Sequence, residues 1–170
     1  MLIVDSREKK WKHIENYLWT HNIDYKIQKL DFGDYMLTEI PNICIDRKAN
    51  LDEISHNLMS GKGNYHRFLK EVKRAKLSGV HLVILIEGTN CRSMEDVKQW
   101  NSKYSSVTGG WLYKQMKNLS YAFGVEWRFC KSNQTAKEIF KILKGDHGII
   151  GSRTLCGPCS IHQHLAVWQE

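Results

Sequence analysis

Between Phe32 and Glu53 the chain reads FGDYMLTEIPNICIDRKANLDE, and no other stretch restricts the fold as much. Folding Tyr35–Leu37 back on Ile43–Ile45 about Ile40 and Pro41 makes an antiparallel pair. In that register Tyr35 faces Ile45, Met36 faces Cys44 and Asp34 faces Asp46. Successive side chains of a strand point to opposite faces. Tyr35, Leu37, Ile43 and Ile45 therefore share an apolar face, and Asp34, Asp46 and Lys48 share the other. Directly opposed residues have Cβ atoms roughly 4.5–5.5 Å apart, close enough for two carboxylates to hold one divalent cation. With an amine beside them, this is the set that metal-assisted phosphodiester cleavage requires. The plainer reading is a solvated, charged strand exit, because short D-x-K matches are common by chance. The agreement of the apolar face with the register that pairs the acids favours the catalytic one.

The rest of the chain reads as strands interleaved with helices. Leu2-Ile3-Val4 suits a buried strand, with Asp5 leaving its end. Trp11, Ile14, Tyr17 and Leu18 recur at helical spacing, predicting a helix over Lys10–His21 that ends near Asn22. Tyr25 and Ile27 alternate with Lys26 and Gln28 as in a strand. After the hairpin, Leu51, Ile54 and Leu58 stripe a short helix with Asn50 at its N-cap; Asp52 is either a first-turn acid or a site residue. A flexible loop at Ser60–Asn64 carries Lys62. Tyr65–Leu77 is helical, with Phe68, Leu69, Val72 and Ala75 inward. Its Arg67, Lys70, Lys73, Arg74 and Lys76 are a solvated face with Glu71 or a set of phosphate contacts.

Val80–Ile86 is almost continuously apolar and reads as a central strand buried on both faces. Glu87 leaves its C-terminal end, where open α/β sheets place their sites; it is a ligand candidate or simply solvated. A short helix at Met94–Trp100 and a broad apolar helix at Val107–Phe123, ended by Gly124, follow. Val125–Phe129 is a strand, and Thr135 caps a last helix to Leu143. The expectation is an α/β domain over 1–144, a central mixed sheet flanked by helices.

Composition bounds the partners. A net charge of +7 and a pI near 9.1 favour a polyanion. The longest apolar run, Leu82–Ile86, is too short to span a membrane, and MLIVDSREKK has no cleavable signal pattern. An intracellular location is expected, cytoplasmic in a prokaryote or virus and nuclear in a eukaryote. Five scattered cysteines then default to reduced thiols, with Cys44 and Cys130 in the core. Residues 145–170 read as a loosely ordered tail. There Cys156-Gly-Pro-Cys159 spells a redox motif without its strand and helix, and Cys156, Cys159, His162 and His164 are zinc candidates whose His-x-His spacing is short.

Two segments carry a family resemblance. Gly33-Asp34 followed by Asp46-Arg47-Lys48-Ala49-Asn50-Leu51-Asp52 resembles the GD…ERK-x-x-x-D signature of the XPF-type structure-specific endonucleases. Leu2-Ile3-Val4-Asp5-Ser6-Arg7-Glu8 resembles the V-D-x-R-E segment that opens the same domain. The resemblance covers roughly Met1 to Leu143 and is strongest before Lys76. It implies a restriction-endonuclease-like fold of the PD-(D/E)xK kind and a Mg²⁺- or Mn²⁺-dependent DNA endonuclease acting on branched, flap or fork DNA. It also implies a homodimer through the nuclease domain.

Carried over by position, Asp5, Asp34 and Asp46 match metal-binding acids, and Lys48 and Arg47 match catalytic basic positions. Glu8, Arg7 and Asp52 match supporting ones; Lys62, Arg67, Lys70 and Arg74 are added as DNA contacts from their charge. The register puts Arg47 on the face opposite Asp46, which favours structural pairing or substrate contact over chemistry. Asp46 stands where the family has Glu; its shorter side chain bears on metal preference and rate. Relatives commonly continue into a tandem helix-hairpin-helix module, which the 26 residues after Lys144 are too few to build. The alternatives are a non-catalytic DNA-binding scaffold subunit, or a PD-(D/E)xK nuclease with another nucleic-acid substrate.

Overall fold

Alternation of apolar side chains builds the sheet first. In the computed structural model, which describes residues 1–59 and 63–145, six strands lie in one mixed sheet. They are β1 (Leu2–Val4), β2 (Tyr25–Ile27), β3 (Tyr35–Leu37), β4 (Ile40–Lys48), β5 (His81–Ile86) and β6 (Glu126–Phe129), in the order β2-β1-β3-β4-β5-β6. Strand β3 runs antiparallel to β1 and β4, whereas β1–β2, β4–β5 and β5–β6 are parallel. Tyr35 pairs with Ile45 and Met36 with Cys44, as the sequence register predicts. The turn differs: Thr38 and Glu39 make it, and Ile40 and Pro41 already belong to β4. A register shift between Met36 and Leu37 accommodates the extra residues.

Among the described residues, five helices cover the two faces. Helices α1 (Lys12–Thr20) and α5 (Thr135–Leu143) pack Ile14, Leu18, Ile139 and Ile142 against Val4, Tyr35, Ile45 and Leu85. On the other face α2 (Leu51–Leu58), α3 (Gly63–Leu77) and α4 (Gly109–Phe123) pack Ile54, Phe68, Val72, Leu112 and Met116 against Ile3, Cys44, Ile84 and Ile86. Cys44 and Cys130 are buried free thiols.

Local signals explain most boundaries. Asn50 caps α2 by accepting the Glu53 N–H at 2.9 Å, and Gly124 ends α4 at φ +73°. Met94–Trp100 contains a 3₁₀ turn at Glu95–Gln99 in place of the expected helix. Thr135 begins α5 without capping it, because its hydroxyl donates to Glu87 at 2.6 Å. Among the described residues no helix is long and apolar enough to cross a membrane. Lys62 and the tail candidates Cys156, Cys159, His162 and His164 lie outside the described residues.

Candidate active site

Chain geometry at Gly33 sets Asp34 against β4. Gly33 has φ +66°, and a Cβ there would lie 2.4 Å from Cys44 Sγ and 2.8 Å from the Ile45 carbonyl oxygen. Glycine is the residue that tolerates this conformation and approach. The Asp34 N–H then donates to the Ile45 carbonyl at 2.7 Å, and the Asp34 carbonyl accepts from the Asp5 N–H at 2.8 Å. The Arg47 N–H donates to Asp34 Oδ2 at 2.8 Å. These bonds hold Asp34 near enough to Asp46 for the two carboxylates to act on one another.

On the same face of β4, Lys48 Nζ donates to Asp46 Oδ1 at 2.8 Å. It also lies 5.5 Å from the Phe68 ring centroid on α3. Asp46 is buried, and among the described residues its Oδ2 has no hydrogen-bond partner. Burial, then the neighbouring Asp46 carboxylate, raises the Asp34 pKa well above the ordinary carboxylate range. Burial works against the Lys48 ammonium, but Asp46 and Asp34 outweigh it and hold Lys48 protonated.

Other candidates are directed elsewhere. Asp5 is buried beneath Arg7, and its two oxygens take four donors: the Arg7 N–H, Nε and NH2 at 2.7, 2.8 and 2.9 Å, and the Leu30 N–H at 2.6 Å. These bonds outweigh the upward push of burial, so Asp5 sits below the ordinary range. Its carboxylate is saturated by protein donors, in contrast to the expectation of a metal-binding acid. Arg7 NH2 also donates to the Leu30 carbonyl at 2.8 Å, tying the end of β1 to the segment before Gly33.

Arg47 is buried on the opposite face, as predicted. It pairs with Glu8 at 3.1 Å, with Glu87, and with the Lys10 carbonyl at 3.0 Å. The same Glu87 carboxylate meets His13 Nε2 at 2.9 Å and the Thr135 hydroxyl. Glu8 and Glu87 are therefore Arg47 partners, and Glu8 also lies near enough to Asp34 for its charge to push the Asp34 pKa up. Asp52 accepts from the Ser102 hydroxyl at 2.5 Å; that same oxygen accepts the N–H groups of Tyr104 and Ser105. Arg67 and Lys70 are exposed on α3, and Arg74 donates to the Asp31 carbonyl at 2.9 Å.

One residue at the site went unassigned in the sequence. Half-buried Glu71 on α3 accepts the Gly33 N–H through Oε1 at 2.7 Å. Burial and then Asp46 raise its pKa. Its position three residues after inward-facing Phe68 is the local signal that it too turns toward the sheet.

The donor set suits a hard divalent cation. Asp34 and Asp46 offer carboxylate oxygens, and the buried, unpartnered Asp46 Oδ2 is the kind of atom that burial otherwise penalises. Among the described residues, no three His, Cys, Asp or Glu side chains close into a complete cage. A two-acid site that leaves other positions to water is usual for Mg²⁺.

The ERCC4 domain model matches residues 4–143. In fold the chain is similar to XPF from Aeropyrum pernix, with TM-score 0.63 and 18% identity, covering 87% of this chain and 66% of that one. It is also similar to XPF from Aeropyrum pernix in a complex with DNA, with TM-score 0.59 and 19% identity, covering 84% and 62% respectively. The chain thus spans less than two thirds of those structures' length. A search of curated proteins gives no match. The arrangement of strands and the family match agree, so the chain belongs to the ERCC4 domain family and has the fold of an XPF-type nuclease domain.

Proposed function

We propose that this protein is a divalent-metal-dependent DNA endonuclease that hydrolyses phosphodiester bonds at branched, flap or fork DNA. The observation that carries the reading is Asp34, Asp46 and Lys48 on one sheet face with one buried Asp46 oxygen left unpartnered. A bound Mg²⁺ or Mn²⁺ supplies charge neutralisation at the phosphate and lowers the pKa of water. Asp34 and Asp46 are the residues that hold it. Lys48, kept protonated beside Asp46, faces the charge that develops on the phosphate oxygens during displacement. Arg47 anchors β4 from behind, and its N–H orients the Asp34 carboxylate. Exposed Arg67 and Lys70, with the net charge of +7, attract the DNA backbone. A homodimer through this domain is the assembly the reading implies, checked by sedimentation.

The test is cleavage of labelled duplex, flap, fork and single-stranded DNA in Mg²⁺ or Mn²⁺. Asp46→Asn and Lys48→Ala are run beside the natural protein. Each substitution is expected to reduce metal-dependent cutting by about 100-fold or more, with flap or fork preferred over plain duplex. DNA binding without cutting in either metal would establish a scaffold subunit instead. Preference for RNA or unbranched duplex would move the assignment to another PD-(D/E)xK class.

A further inference from the structure

We propose that Glu71 is the third carboxylate of this site and sets its cation affinity through its charge. This inference rests on the metal-dependent reading above. Helix α3 carries basic Arg67, Lys70, Lys73 and Arg74 outward, while its one acid turns toward the sheet. Phe68, one turn before Glu71, lies beneath the Lys48 ammonium, so Glu71 faces the same side of β4. Its Oε1 holds the Gly33 N–H at 2.7 Å, directly before Asp34. Among the described residues its Oε2 accepts no hydrogen bond.

An acid that served only to hold the turn would need no charge, since a neutral amide oxygen also accepts an N–H, if less strongly. The independent sign of a ligand is Asp46, whose buried Oδ2 has no partner among the described residues. Two acids already repel one another there, and a third without a cation adds to that repulsion. A divalent cation converts the same three charges into attraction. Glu71 does not join Asp34 and Asp46 in one ligand cage; it acts as a positioning residue, through Gly33 and through its field.

The experiment is Mn²⁺ binding to the full chain by calorimetry and electron paramagnetic resonance, with urea unfolding of each variant. Glu71→Gln keeps an acceptor for Gly33 and removes the charge. It is expected to fold, with a metal-free urea midpoint at or above that of the natural protein, and to bind Mn²⁺ about tenfold more weakly. Glu71→Asp keeps the charge but shortens the reach, and should bind more tightly than Glu71→Gln. Asp46→Asn is the control that abolishes binding. Natural affinity in Glu71→Gln, or weaker binding in Glu71→Asp than in Glu71→Gln, overturns the proposal while leaving the nuclease reading intact. Absence of Mn²⁺ binding by the natural protein would overturn both.

Discussion

The N–H of Arg47 donates to the carboxylate of Asp34 at 2.8 Å, although the Arg47 side chain lies on the other side of the sheet. One residue thus serves both faces. Its guanidinium fixes β4 through Glu8 and Glu87, and its backbone aims the acid of the neighbouring segment. Arg47→Ala leaves two buried carboxylates without their cation, and should lower stability by about 3–5 kcal/mol. Arg47→Lys keeps the charge but loses the guanidinium fork, and should fall between the two. Urea unfolding midpoints check both.

Asp34 gives a prediction of the opposite sign. Its folded-state pKa is raised by burial and by Asp46. A raised value means stability that is present below the ordinary carboxylate pKa of about 3.9 and lost as pH rises through the folded value. Asp34→Asn should therefore stabilise the metal-free protein at neutral pH by on the order of 1 kcal/mol, while abolishing cleavage. Chelator-treated protein unfolded between pH 4 and 8 should show the natural chain losing stability where the variant does not.

Asp5 behaves in reverse. Burial pushes its carboxyl up, but Arg7 and the amides of Leu30 and Arg7 hold it below the ordinary range. Its contribution is present above about pH 3.9 and lost as pH falls through the lower, folded value. Asp5→Asn should lower neutral-pH stability by about 1–3 kcal/mol and flatten the acid limb of the stability curve. Because both oxygens already take protein donors, Mn²⁺ affinity should not change; an affinity loss matching that of Asp46→Asn would return Asp5 to the metal-binding set.

Gly33→Ala tests the turn itself. The positive φ and the 2.4 and 2.8 Å approaches leave no room for a methyl group. The variant should lose about 2 kcal/mol or more and bind Mn²⁺ poorly, because Asp34 moves with its neighbour. Adding Cys44→Ala should restore only part of this, since the Ile45 carbonyl remains in the way.

What could be read in advance was local. The pairing of Tyr35 with Ile45 and the opposed faces of Asp46 and Arg47 follow from a two-residue period that any strand obeys. Pro41 misled because proline usually marks turns; here it enters β4 where the register with β3 shifts. The saturation of Asp5 depends on Leu30, and the pairing of Glu87 with Arg47 depends on how β5 lies beside β4. Glu71 looked like one charge on a solvated helix; its spacing from Phe68 carries a hint of its inward direction, but the group it meets, the Gly33 N–H, is not written there. These contacts join residues far apart in sequence, where spacing carries no information.

Strand β4 also constrains how relatives of this chain can vary in length. Asp46, Arg47 and Lys48 alternate between the face with the unpartnered carboxylate and the face with the buried arginine. Adding or losing one residue between Ile43 and Lys48 would exchange the two sets, putting Arg47 where an acid belongs. Insertions are therefore expected to collect at Thr38–Asn42, before the matched register begins, and to be absent from the six residues that follow.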